Sequence, residues 1–164
     1  MELIVAGDGT ARWGGRILRC ALGRAGISND KREGDGATPA GIWPIREVLF
    51  RADRVALATG LPHAPLKPDD GWCDDPADRN YNRLIKLPSK RSAEGLKRGD
   101  HLYDLVLVLG YNDRPRVRGR GSAIFVHLAR PGYTPTEGCI ALSLRDLSAL
   151  IRQAWHRSAL VVMR

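Results

Sequence analysis

A chain of 164 residues can bury one sizeable core but falls short of the usual length for two, so a single domain over residues 1–164 is expected. With 43% hydrophobic and 27% charged residues the composition excludes a disordered chain; 26 Lys and Arg against 18 Asp and Glu, a formal +8, favours anionic partners without choosing among them. Three cysteines without a CxxC pair exclude a disulfide framework and a zinc knuckle; no metal or cofactor is expected, and at least one thiol is free.

At the start of the chain the apolar run is only Leu3 to Ala6 and no positive charges lead it, which fits neither a secretory signal nor a membrane span. A cytoplasmic location is the expectation; a chain trimmed of its leader would look the same and would work in the periplasm. Further apolar or β-branched stretches follow at Arg16 to Leu22, Gly41 to Phe50, Tyr103 to Leu109, Ile124 to Leu128, Cys139 to Leu142 and Ala159 to Met163. Most are too short for helices, and 18 Gly with 10 Pro break them apart, so the spacing predicts a mainly β domain. Between them, Leu61 to Asp100 is rich in Pro, Asp and Lys and is expected to be a long loop forming a wall or lid.

The run Leu105 to Leu109 is apolar at every position and should be buried on both faces, whereas Ile124, Val126 and Leu128 alternate with Phe125 and His127. One helix is predicted after Cys139 to Leu142: Ser143 with Asp146 three residues on caps it, and Leu147, Leu150, Ile151, Ala154 and Trp155 follow at helical spacing.

YTPTEGCIALS, residues 133 to 143, sets a cysteine beside a glycine after residues that break regular structure. A cysteine nucleophile works as the thiolate, and a thiol of pKa about 8.5 needs a neighbouring base. His127, twelve positions before Cys139, is the candidate, because a connector of ten residues with two prolines and two glycines can return the chain beside the His127 strand. Gly138 would let the backbone approach a substrate carbonyl, and its amide with that of Cys139 could form an oxyanion hole. Spacing alone leaves the ordinary alternative open, since a strand histidine and a buried cysteine commonly serve only packing.

FVHLARPGYTPTEGCIALSLRDL resembles the signature of the L,D-transpeptidase catalytic domain (YkuD type), in which an upstream His is followed by Ser or Thr, a variable residue, Gly and the nucleophilic Cys. Here these are His127, Thr136, Glu137, Gly138 and Cys139. KREGDGATPAGIWPI, residues 31 to 45, and YDLVLVLGYN, residues 103 to 112, are similar to the family's early segment and central strand. The resemblance implies a β-sandwich or barrel with a C-terminal helix after the cysteine strand. It also implies a thiol that attacks the bond between the third and fourth residues of a peptidoglycan tetrapeptide stem. Cys139 would be acylated and D-alanine would leave. His127 would serve as base and then acid, and the acyl group would pass to an amine or to water. The family's thiols are also acylated by carbapenems.

Two positions depart from the pattern: Glu137 stands where the family usually has His, and Ala141 where it usually has Arg. A carboxylate near the thiol would raise its pKa, so Glu137 is expected to point away or to pair with Arg130 or Arg145. Substrate-carboxylate binding then falls to Arg130, with Thr136, Tyr133 and Trp72 as further candidate substrate contacts; aromatic packing and solvated loop charge are the ordinary alternatives. With no export signal in view, soluble recycled muropeptides are the expected substrate and water the expected acceptor, which makes L,D-carboxypeptidation the leading reading. Cross-linking, D-amino-acid exchange and a non-catalytic wall-fragment binding module are the alternatives.

Nucleic-acid binding through RPRVRG, residues 114 to 119, is disfavoured because no row of stacking aromatics accompanies it. Cys73, amid four acidic neighbours, is expected to be structural. His63, His101 and His156 have no metal-ligand spacing, Tyr81 is a further aromatic on the long loop, and Ser122 is a turn residue that could reach His127.

Overall fold

The computed structural model describes residues 2–155 and 158–163, so His156 lies outside them. The chain begins with β1 (Glu2–Ala6), β2 (Thr10–Trp13) and β3 (Arg16–Arg19). Gly14 and Gly15, both at positive φ, make the two-residue turn between β2 and β3, the conformation that matches strand twist. Short strands β4 (Ile27–Ser28) and β5 (Thr38–Pro39) pair in parallel, and β6 (Gly41–Phe50) carries β7 (His63–Pro65) along one part of its edge. Then come β8 (Asp70–Cys73), β9 (Leu84–Lys86), β10 (Ala93–Gly95), β11 (Leu105–Leu109), β12 (Phe125–Leu128), β13 (Ile140–Leu142), helix α1 (Leu144–Gln153) and β14 (Ala159–Met163).

Among the described residues nine strands form one sheet in the order β13-β12-β11-β6-β14-β1-β2-β3, with β7 beside β6. The chain just past β3 meets β13 again, where the amides of Ala21 and Ala141 each donate 2.9 Å to the other's carbonyl, so the sheet nearly closes on itself. Inside lies an aliphatic core that includes Leu3, Val5, Leu107, Leu109, Val126, Ile140 and Leu160. Helix α1 adds Leu147, Leu150 and Ile151 to it. Ser143 caps the helix, accepting from the Asp146 amide at 3.1 Å, and the negative Asp146 favours the first turn. The helix ends at Gln153, which leaves Trp155 half exposed, outside the apolar stripe predicted for it.

The alternation predicted for the central strands is present. Leu105, Leu107 and Leu109 point into the first core, while Val106 and Val108 join Leu49, Phe125, Trp72, Leu96, Leu102, Tyr103 and Cys139 in a second core on the other face. The segment 61–100 is not the loop that its composition predicts. Strands β10, β8 and β9 make a three-stranded sheet, and every residue of β8 is buried. Strands of three or four residues containing Gly and Asp carry too little periodicity to be read in advance. Among the described residues no helix is long and apolar enough to cross a membrane.

Candidate active site

Strands β12 and β13 run parallel, with Val126 opposite Ile140, His127 opposite Ala141 and Leu128 opposite Leu142. Because side chains alternate, Phe125 and His127 share one face of β12, and Cys139 with Ala141 shares the same face beside them. His127 and Cys139 are therefore diagonal neighbours across one strand pair, a separation of roughly 7–8 Å between Cα atoms. Both line one cavity of about 370 Å³.

His127 is buried, and its Nδ1 lies 2.9 Å from the carbonyl of Leu128. A carbonyl only accepts, so the proton sits on Nδ1 and Nε2 is left as the basic nitrogen. The ring packs edge-on against Tyr103 at 5.3 Å, which fixes its plane. Burial, with the positive charges of Arg98 and Arg130 nearby, pulls the imidazole down to about 4, so it is neutral at pH 7. Burial also pushes the Cys139 thiol up to about 12. Its Sγ donates to the carbonyl of Ala123 at 3.1 Å and accepts from the amide of Phe125 at 3.3 Å. The resting pair is thus a neutral thiol and a neutral imidazole rather than an ion pair.

The loop before the cysteine is built by Thr136 and Gly138. The Thr136 hydroxyl donates to the carbonyl of Cys139 at 2.6 Å and accepts from the amide of Gly138 at 3.1 Å. Gly138 has φ 137°, and a Cβ there would stand 2.8 Å from the carbonyl oxygen of Ala37, so no larger residue fits. Lys31, Glu33, Asp74, Glu94, Arg98 and Arg130 bring charges of both signs to the cavity wall. Glu94 accepts from the Tyr103 hydroxyl at 2.7 Å, and burial raises its carboxyl above the usual range. Among the described residues no group of three or more His, Cys, Asp or Glu could hold a metal ion.

The profile of the YkuD family, described as the L,D-transpeptidase catalytic domain, matches residues 2–162. The chain belongs to the L,D-transpeptidase catalytic domain family. That family is one of cysteine-dependent enzymes acting on peptidoglycan. Among solved structures, the chain is similar to an L,D-transpeptidase from Mycobacterium smegmatis (15% identity, TM-score 0.45, covering 99% of this chain and 58% of that one). It is also similar to the helical cell shape determining protein Pgp2 from Campylobacter jejuni (13% identity, TM-score 0.48, covering 99% and 47%). The chain thus spans about half the length of these structures. A comparison with curated proteins returns no significant match.

Within this L,D-transpeptidase domain the candidate residues separate. Cys139, His127, Arg130 and Thr136 line the cavity, although the Thr136 hydroxyl is spent on the loop. The Gly138 amide goes to Thr136 Oγ1, so the donor sought there for an oxyanion is occupied by the loop. Tyr133 lies away from the thiol: Arg19 stacks on its ring at 4.6 Å, and it lines a different cavity with Asp8, Leu18 and Cys20. Trp72 is a core residue whose indole meets Phe125 edge-on at 5.0 Å and donates 2.9 Å to Asn82 Oδ1.

Glu137 pairs with neither Arg130 nor Arg145. Both its oxygens accept from Arg24 Nε at 3.0 Å, with Nη2 also 2.9 Å from Oε2, because residues 21–24 run beside this loop and the Arg24 amide donates to the Thr136 carbonyl. That hydrogen bond lowers the Glu137 pKa, so the carboxyl stays ionised with its charge balanced by the guanidinium. Ser122 donates 2.8 Å to Glu33. Cys73 is fully buried in β8, His63 meets the Leu61 carbonyl at 2.9 Å and His101 the Ala129 carbonyl at 3.2 Å. The sequence did not single out Glu94 or Arg98, which come from a segment without any motif, and it marked Lys31 and Tyr103 only as the first residues of the two family-like segments.

Proposed function

We propose that the protein is a cysteine acyltransferase that opens the L,D bond between the third and fourth residues of a peptidoglycan tetrapeptide stem and passes the acyl group to water. It acts, on this reading, as an L,D-carboxypeptidase in murein recycling. One observation carries the reading: the parallel register that sets the basic nitrogen of His127 and the thiol of Cys139 on one face, at one cavity. A rotation about the Cys139 side chain brings Sγ from Ala123 toward His127. His127 Nε2 takes the thiol proton while Sγ attacks the carbonyl of the third residue, and the Cys139 amide faces the developing oxyanion. The C–N bond then breaks, the imidazolium gives its proton to the leaving amine of D-alanine, and a thioester remains. His127 next takes a proton from water, whose oxygen attacks the thioester, and the sulfur leaves and is reprotonated.

A cavity of about 370 Å³ falls within the roughly 300–1,000 Å³ usual for ligand sites. Incubating the protein with a tetrapeptide stem and weighing the products tests this. Loss of D-alanine is expected. Incorporation of an added D-amino acid would instead favour exchange, and neither product would overturn both. A binding module is the second reading, favoured by the buried neutral thiol and by Ala141 where a cation is usual; it predicts that Cys139→Ala keeps stem-peptide affinity and that no acyl-enzyme forms.

A further inference from the structure

Asn82 lies on the connection between β8 and β9, is almost fully buried, and has φ 56°. Its side-chain amide fills every donor and acceptor position it has. Oδ1 accepts from Trp72 Nε1 at 2.9 Å and from the Ala123 amide at 3.1 Å, and Nδ2 donates to the carbonyls of Tyr111 at 3.0 Å and Asn112 at 2.9 Å. Two carbonyls on one side and two N–H groups on the other leave only one orientation for the amide. Aspartate would set a carboxylate against two carbonyl oxygens, so the site selects asparagine by chemistry as well as by size.

One of those four bonds holds a strained residue. Ala123 sits at φ 52°, a left-handed conformation that is unfavourable for a non-glycine residue, and its methyl side chain offers no hydrogen bond of its own to offset this. Its neighbour Gly121 is pinned from the same connection, with its amide donating 3.0 Å to the Tyr81 hydroxyl. The Ala123 carbonyl is the group that accepts from the Cys139 thiol. Asn82 thus touches neither the sulfur nor the imidazole, yet it holds the backbone on which the resting thiol leans.

We propose that Asn82 is a positioning residue for the thiol: through the left-handed backbone of Ala123 it aims a carbonyl at Cys139 and keeps the sulfur protonated and turned from His127 until substrate displaces it. An acceptor at 3.1 Å favours the S–H form, whereas the Phe125 amide at 3.3 Å favours the thiolate, so turning the carbonyl away tips the balance toward the thiolate. Without Asn82 the Ala123 backbone relaxes toward the common region, and the carbonyl turns with it. The inference rests on Cys139 being the nucleophile of the proposed reaction, but its test observes the thiol directly.

The test is the rate of Cys139 alkylation by iodoacetamide at fixed pH, read by peptide mass with Cys139→Ser as the blank, alongside turnover of a tetrapeptide stem. Asn82→Gly keeps the positive φ while deleting the amide, and Ala123→Gly removes the strain at this φ without deleting any bond. Leu160→Ala, in the other core, controls for general loss of stability. Asn82→Gly is expected to alkylate several-fold faster than the native protein, because more of the sulfur is then thiolate. Ala123→Gly, which holds the same backbone without strain, should alkylate at the native rate, and Leu160→Ala should not move it either. A native alkylation rate in Asn82→Gly would overturn the proposal, as would an equal rise in Leu160→Ala. Should Asn82→Gly fail to fold, Asn82→Ala, which deletes the same side-chain bonds, decides in its place. Absence of turnover in the native protein would remove the proposed function and leave the alkylation result to judge Asn82 by itself.

Discussion

The two faces of strands β11 and β12 are built from alternate residues of the same short segments, yet they do different things. On the inner face Leu105, Leu107, Leu109, Val126 and Leu128 meet α1 and the other strands in a closed aliphatic core. On the outer face Val106, Val108 and Phe125 meet a small sheet whose cover is incomplete, and the gap is the cavity that holds His127 and Cys139. The candidate site sits where packing stops short. A group in that gap is dry enough for large pKa shifts and still open to a ligand, a combination that a fully closed core cannot offer.

Substitutions on the two faces should separate activity from stability, and the largest effect belongs to the open face. His127→Ala is expected to lower turnover by about 100- to 10,000-fold with the fold retained, measured by steady-state kinetics beside circular dichroism. The native imidazole, held near 4, stays neutral in mild acid, so kcat/KM should hold steady as pH falls from about 7 to about 5 and drop as it approaches 4. Between the ordinary value of about 6.5 and 4 the unfolded chain binds the proton that the folded one refuses, so stability falls as pH falls through this window. His127→Gln should lose that slope in thermal unfolding.

On the closed face, Leu150→Ala should cost about 2–5 kcal/mol in denaturant unfolding while leaving kcat unchanged in the folded fraction. Equal losses of activity and stability there would erase the contrast between the faces. A smaller effect is expected from Tyr103→Phe, which keeps the ring against His127 but removes the donor to the buried Glu94: about 1–2 kcal/mol of stability, with kcat within about threefold. Smallest of all, Glu137→Gln breaks an exposed pair with Arg24 and should change kcat/KM by less than about twofold, since screened surface pairs contribute little.

Much of the closed face was legible in the sequence, because its strands and helix are written in repeating apolar positions: the inward-facing residues of β11 and β12 and the stripe Leu147, Leu150 and Ile151 all lie where their spacing put them. His127 and Cys139 were legible as a pair through the motif they share. The wall of the cavity was not, since β8 to β10 are too short and too polar to show a period, and Asn82 looked like any polar loop residue. Partners distant in sequence were also invisible: Arg24 reaches Glu137 across 113 positions, along a path set by the closure of the sheet. Aromatic side chains misled for a related reason, because residue type alone does not tell whether Trp72 faces a groove or Phe125.

The most direct measurement is the intact mass of the protein after exposure to a carbapenem, compared with Cys139→Ser and His127→Ala. A thiol activated by its diagonal neighbour gives one covalent adduct in the native protein, none in the serine variant and little in the alanine variant at the same time of exposure. An adduct that persists in Cys139→Ser, or forms equally fast without His127, would contradict the assignment of this strand pair as the catalytic centre.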